Sequence, residues 1–250
     1  MHERGLAESR AKAQALIMAG EVRVDGQIQL KSSTMVESEV HLELEKKPRF
    51  VSRGGEKLES ALDHFDIQVT GRCCVDVGAS TGGFTDCLLQ HGAIRVYALD
   101  VGKGGLHWKL RNDPRVVVME STNARYVEYL PEEVSLAVVD ASFISLKILL
   151  PVVYRWIEPN GEILCLVKPQ FEAGKRDAAR GSGVIRAPAI HKQILSDIAG
   201  FAESIGLGLH GLIRSPILGA KGNLEFLLWL KKQKAGVNSR DLIASIGIID

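Results

Sequence analysis

From residue 73 onward, short apolar runs alternate with stretches whose apolar positions recur every three or four residues. The runs predict strands near 73–77, 94–99, 115–119, 134–139, 162–167, 207–213 and 224–230, and the helical spacing predicts helices near 56–66, 83–91, 145–157 and 187–205. Alternation on this scale implies an α/β fold, a mostly parallel sheet covered on both faces. Only residues 214–223, without helical spacing, separate the last two strands, so these are expected as an antiparallel pair at one edge. The first 47 residues follow a different pattern. Residues 2–20 read as a helix with Ser9 as N-cap and Gly20 as its stop, residues 21–27 alternate and turn at Asp25-Gly26, and 36–44 alternate again as a strand. The charged, proline-broken stretch Lys46-Lys47-Pro48-Arg49-Phe50 reads as a linker. The expected division is a small α+β module over 1–47, an α/β domain over 48–232, and a partly ordered tail over 233–250.

With 250 residues, 46% of them hydrophobic and 24% charged, the chain has the composition of a water-soluble globular protein with one sizeable core. No apolar run approaches the ~20 residues of a membrane-spanning helix. The N-terminus lacks the apolar core of a signal peptide, so the cytoplasm is the expected compartment. Cys73, Cys74, Cys87 and Cys165 have neither the CxxC spacing nor the histidine partners of a metal site, and no metal is expected. The net charge of +1 is uninformative, but its distribution is not: Arg4, Arg10, Lys12, Lys46, Lys47, Arg49, Arg53 and Lys57 crowd the first quarter.

The stretch Cys74-Val75-Asp76-Val77-Gly78-Ala79-Ser80-Thr81-Gly82-Gly83-Phe84 reads as a strand feeding a tight turn that opens a helix. Glycines at 78, 82 and 83 let the backbone approach a ligand closely. Asp76 offers a carboxylate to a cationic amine, and Asp100, after the second strand, stands where an adenosine ribose needs an acceptor. The glycine spacing is neither GxGxxG nor a P-loop. A mononucleoside-like cofactor, S-adenosylmethionine, fits this pattern better than an ordinary βα turn.

Open α/β sheets hold ligands beyond the carboxyl ends of their strands, which selects Asp76, Asp100, Asp140 and Lys168. A lysine ending a run as apolar as Ile163–Val167 is uncommon, although a lysine snorkelling from the sheet's end reads the same way. Glu225 is the only acid in the apolar run 224–230, and Lys57 opens a helix behind Gly54-Gly55.

Taken together, Ser52-Arg53-Gly54-Gly55-Glu56-Lys57-Leu58, Gly78–Phe84, Val139-Asp140-Ala141-Ser142-Phe143, Val167-Lys168-Pro169-Gln170-Phe171-Glu172 and Asn223-Leu224-Glu225 resemble the FtsJ-like ribose 2′-O-methyltransferases, in their hemolysin A branch. The resemblance runs from about Leu6 to Leu230 and implies a Rossmann-like, seven-stranded methyltransferase sheet. It implies that Lys57, Asp140, Lys168 and Glu225 form a catalytic tetrad. Lys168 would be the general base for a ribose hydroxyl, Asp140 would orient it near the sulfonium, Glu225 would position the lysine, and Lys57 would bind near the target phosphate or ribose. Gly78, Ser80, Thr81, Gly82, Gly83 and Phe84 would line the methionine end of the cofactor, with Asp100 on the ribose, Val101 against adenine, and Asn123 at the adenine edge.

The first module, through Leu6–Ala13 and Ile17–Gly26, is similar to the small αL RNA-binding domain of a ribosomal small-subunit protein and many pseudouridine synthases. The basic residues would otherwise read as a solvated charged face. Members usually carry another helix ahead of this point, so a shortened module is expected. Ser9, Arg10, Lys12, Arg23 and Arg53 become candidate RNA contacts, and ribosomal RNA or a ribosomal subunit becomes the expected partner. The basic, glycine-containing segment 172–186 reads either as a loop closing on RNA or as a plain surface loop. Two further readings compete. A membrane-lytic protein, suggested by the family's name, is opposed by the absence of any membrane-length or cationic amphipathic segment. An RNA-binding protein that has lost catalysis is opposed by the intact four-residue set.

Overall fold

In the computed structural model, which describes residues 1–37, 39–44, 48–173, 183–233 and 235–247, the chain forms two units, Met1–Arg49 and Phe50–Asp250. The first unit opens in turns. Helix α1 (Arg10–Met18) begins where Ser9, in extended conformation, accepts the N–H of Lys12 at 3.1 Å through its hydroxyl, satisfying one of the free donors of the first turn. Strands β1 (Val22–Val24) and β2 (Gln27–Ile28) form a hairpin around Asp25 and Gly26, both at positive φ (49° and 80°), the backbone a two-residue turn of this hand requires. Strand β3 (Leu42–Leu44) pairs with β1 on its other side. It is much shorter than the 36–44 expected.

The second unit starts with α2 (Gly54–Phe65), then β4 (Cys73–Val77), α3 (Gly83–Gln90), β5 (Arg95–Leu99), α4 (Trp108–Arg111), β6 (Val116–Met119) and β7 (Val134–Val139). It continues with α5 (Leu146–Trp156), β8 (Ile157–Val167), α6 (Pro169–Glu172), α7 (Pro188–Ser204), β9 (Leu207–Arg214), β10 (Phe226–Lys232) and α8 (Ser239–Ser245). The seven strands lie in the order β6-β5-β4-β7-β8-β10-β9. The first five run parallel, and β10 is antiparallel to both neighbours. Successive residues of the central strands are buried on opposite faces of the sheet. Val75 and Val77 of β4 face a core shared with α5 and α7, whereas Cys74 faces a second core built with α2 and α3. Both faces being covered explains why these strands read as continuous apolar runs.

The seven-stranded α/β sheet is the one expected, but several details differ. The antiparallel pair expected at one edge is present, with β9 outermost and β10 between it and β8; the strand expected at 224–230 spans Phe226–Lys232. Glu225 therefore precedes the strand instead of starting it. Periodicity along one strand carries no information about which neighbour it pairs with. Strand β8 runs on directly from α5 and starts five residues earlier than expected. The short α4 was not anticipated. The segment read as a partly ordered tail contains α8, whose Ile243 is buried and whose Leu242 packs on the core. The segment 172–186 and the linker and tail lie partly outside the described residues.

Candidate active site

The sheet's order reverses between β4 and β7, and the chain leaves their adjacent carboxyl ends at Gly78 and Asp140, the position where open α/β sheets receive ligands. Gly78 has φ 88°, and a Cβ there would lie 2.8 Å from the Asp140 carbonyl oxygen. Only glycine lets the two strand ends approach this closely. Gly82, at φ 98°, turns the chain into α3. A Cβ on Gly83 would collide with the Ser52 hydroxyl and crowd Gly55 N, so glycine at 83 lets the first turns of α2 and α3 come together, while glycine at 55 makes room for the Phe50 ring.

Two cavities open at this point. One, of about 330 Å³, is lined by Ser52, Arg53, Gly54, Lys57, Thr81, Gly83, Phe84, Lys168 and the turn Ile217–Gly219. The other, of about 630 Å³, is lined by Leu99, Asp100, Val101, Asn123, Arg125, Phe143 and Phe171, among others. Gly78, Ser80, Asp140 and Ser142 line both. The shared wall fits an elongated ligand with a polar end in the smaller cavity and an aromatic end in the larger.

The four tetrad residues come together here as two ion pairs. Lys168 Nζ lies 2.6 Å from Asp140 Oδ1, 3.0 Å from Ser142 Oγ and 3.5 Å from the Asp140 carbonyl. The carboxylate approach is off the hydrogen-bond line, so Asp140 supplies charge while the directed bonds go to Ser142 and the carbonyl. Lys57 Nζ donates to Glu225 Oε2 at 2.6 Å, with both side chains largely out of water (13% and 2% exposed). Glu225 therefore meets Lys57, not Lys168. The pair joins the first turn of α2 to the residue before β10. Gly219 closes over it: a Cβ at 219 would strike the Glu225 carboxylate.

Asp100 spends both carboxylate oxygens on the backbone, Oδ2 accepting from Ser80 N at 2.8 Å and Oδ1 from Gly102 N at 2.7 Å. It shapes the two loops that bound the larger cavity and keeps lone pairs free to face it. Ser80 itself is at φ 51°. Asn123 lines the same cavity, and its side chain caps the turn Ala124–Tyr126 by accepting from Arg125 N. Val101 is 71% exposed.

Two cofactor candidates, Gly82 and Asp76, line neither cavity. Asp76 is fully buried; Oδ2 accepts from the Thr85 hydroxyl at 2.7 Å, and Oδ1 has no partner among the described residues. Burial, with smaller contributions from Asp140 and Asp100, pushes its pKa from 3.8 up to about 7. The folded-state pKa is thus above the unfolded one. Its stabilising contribution is complete below about pH 4 and is lost as pH rises through about 7, an upper limit of about 4 kcal/mol. In urea titrations at pH 5 and pH 8, Asp76→Asn should gain stability relative to wild type as pH rises. A difference that stays flat between the two would refute this account.

The RNA candidates are divided between the two units. Ser9, Arg10, Lys12 and Arg23 belong to the first unit, with Arg10 paired loosely to Glu3 at 3.7 Å and Arg23 donating to the Gly26 carbonyl at 3.0 Å. Arg53 belongs to the second unit and lines the smaller cavity. Ser142, Phe143 and Glu172 stand within the motifs that carry the resemblance, but residue patterns assign them no role. Phe143 is 90% exposed at φ 63° and meets the Phe171 ring at 4.8 Å. The available signal was the hydroxyl and aromatic residues directly after Asp140.

A family model described as FtsJ-like methyltransferase matches residues 50–232, and one described as S4 domain matches residues 1–42. The chain is 46% identical to the 16S/23S rRNA (cytidine-2′-O)-methyltransferase TlyA of Mycobacterium tuberculosis, over 92% of this chain and 87% of the relative. It is 43% identical to Hemolysin A of Brachyspira hyodysenteriae, over 91% and 95%. A solved structure from Streptococcus thermophilus, named provisionally as a hemolysin, is 41% identical with a TM-score of 0.76, covering 98% of this chain and 92% of that one. No helix among the described residues is long and apolar enough to cross a membrane.

Proposed function

The chain belongs to the FtsJ-like methyltransferase family, and from that premise we propose that it transfers a methyl group from S-adenosylmethionine to a ribose 2′-hydroxyl of ribosomal RNA, at a cytidine. The observation that carries this reading is Lys168 Nζ, held by Asp140 and Ser142 where the two cavities meet. The reading places the reaction in the cytoplasm, where ribosomal RNA is made and assembled.

A ribose hydroxyl is a weak nucleophile and must give up its proton as it attacks. When bound, S-adenosylmethionine supplies an electrophilic methyl carbon that leaves sulfur as it joins the ribose oxygen. The neutral amine form of Lys168 takes the hydroxyl proton on Nζ. The Asp140 carboxylate 2.6 Å away stabilises the resulting ammonium, and the Ser142 hydroxyl fixes the direction of the nitrogen. Gly78, Ser80 and Asp140 form the wall against which the donor's polar end would rest. Asp100, Val101 and Asn123 would bound the nucleoside end, the oxygen-rich rim and apolar floor suiting a ribose and a purine. Lys57 and Arg53 supply positive charge beside the smaller cavity, suited to the target nucleotide's phosphate. The first unit, with its S4-type helix and basic side chains, would hold structured RNA through backbone contacts.

The test uses ribosomal RNA from cells lacking the enzyme and S-adenosylmethionine labelled in the methyl group. Label should enter ribose and make one position resistant to alkaline cleavage, because a methylated 2′-oxygen cannot attack its own phosphate. Label in a base, or binding of cofactor with no transfer to naked RNA or to either ribosomal subunit, would overturn the proposal.

A further inference from the structure

The turn after Asp140 is held in a conformation that its own sequence does not favour. Phe143 sits at φ 63°, a left-handed backbone that a bulky residue adopts only when its surroundings impose it. This turn carries Ser142, which directs Lys168 Nζ. The far end of this turn is tied to a residue four beyond Lys168. Glu172, the last residue of α6, accepts two hydrogen bonds from the far end of the turn: Ser145 Oγ–H at 2.6 Å and Leu146 N–H at 2.7 Å. Ser145 Oγ in turn accepts from Lys147 N at 3.2 Å, so one hydroxyl both caps α5 and ties it to Glu172. On the other side, Phe171 N–H donates to the Lys168 carbonyl at 2.9 Å, keeping α6 wound tightly behind the lysine. The Phe143 and Phe171 rings meet between these two attachments.

The result is a closed ring of contacts: Lys168 to Ser142, along the turn to Ser145 and Leu146, across to Glu172, and back through α6 to Lys168. We infer that Glu172 is a positioning residue for the reaction, its carboxylate clamping the 141–146 turn to the 168–172 turn so that Ser142 and Asp140 meet Lys168 Nζ together. Glu172 touches neither Lys168 nor Asp140 in any described contact and acts only through the backbone it fixes. Its partial burial raises the carboxyl pKa, the cost of placing a charge there, and the two donors at the start of α5 offset it. The inference rests on Lys168 being the base, as proposed above.

The test compares Glu172→Ala with Glu172→Gln in the full chain. Glutamine keeps an acceptor for Leu146 N–H and can donate to Ser145 Oγ, so it preserves the clamp without the charge; alanine abolishes it. Glu172→Ala should lower single-turnover methyl transfer about 30-fold at saturating RNA and cofactor, a loss expected of sub-ångström misplacement. It should also speed hydrogen exchange over residues 141–146, and Glu172→Gln should restore both. Alanine that lowers thermal stability while keeping the transfer rate within threefold of wild type would reduce Glu172 to a structural role and overturn the inference. So would glutamine as damaging as alanine. Should wild type transfer no methyl at all, the activity proposal fails, and exchange over 141–146 still decides this one: unchanged exchange in Glu172→Ala refutes the clamp.

Discussion

Replacing Lys168 with methionine is expected to lower the single-turnover rate of methyl transfer about 1,000-fold and to leave cofactor affinity within about threefold of wild type. The size follows from the role: a positioned general base contributes ~10² to 10⁴ in rate, and no other described amine lies within hydrogen-bond reach of Ser142 and Asp140. The selectivity follows from geometry. Lys168 lines the smaller cavity and not the larger one, where the nucleoside end of the donor would sit, so removing its amine leaves most cofactor contacts in place. Methionine fills similar space without a proton acceptor, which separates lost chemistry from lost packing. Rates from one turnover, with cofactor affinity measured separately by calorimetry, make the comparison clean. A variant that keeps a tenth of wild-type activity would mean that Lys168 is not the base. A variant that loses cofactor binding and rate together would make it a binding residue.

Much of this site was legible in the chain because of where strands end. Asp140 and Lys168 each terminate an apolar run, and in an open α/β sheet that alone sends a side chain toward the ligand. Asp76 obeys the same rule and still turns away: its alternation puts it on the face of Cys74, beneath α3, where Thr85 meets it. The strand-end rule identifies a layer of the molecule but not which side of the sheet a side chain takes. Lys57 and Glu225, 168 residues apart, have no spacing that could announce their contact. It depends on β10 inserting between β8 and β9, which brings residue 225 inward from where an edge strand would put it. Ser142 and Glu172 stand inside the recognised motifs, yet their roles were not legible, for another reason. Their role is a tertiary closure between two turns, and each alone is an ordinary polar residue near a helix end. The positive φ of Phe143 is a conformation that its residue type does not announce.

Breaking the Lys57–Glu225 pair is expected to cost both stability and activity, and the two losses can be told apart. Each partner is almost out of water, so removing one strands the other. A single substitution at such a pair typically costs ~3 to 5 kcal/mol, whereas replacing both partners by apolar residues of similar volume is often neutral. The two single variants should not be equal. Glu225 is 2% exposed and Lys57 13%, so Lys57→Met leaves a carboxylate with no route to water, while Glu225→Leu leaves an ammonium that can shift along the smaller cavity. Lys57→Met should therefore be the less stable of the two. The double variant Lys57→Met/Glu225→Leu should recover most of the lost stability in urea titrations and none of the methyl transfer, because the positive charge beside the smaller cavity is gone. Gly219→Ala breaks the pair in a different way, with both charges kept. Its methyl group would displace the Glu225 carboxylate without altering any charge, and it should depress transfer while Lys57 remains. Recovery of activity in the double variant would show that the pair serves folding alone and that the phosphate is bound elsewhere, with Arg53 the next candidate. Recovery of stability alone would tie the charge of Lys57, and not merely its packing, to the reaction.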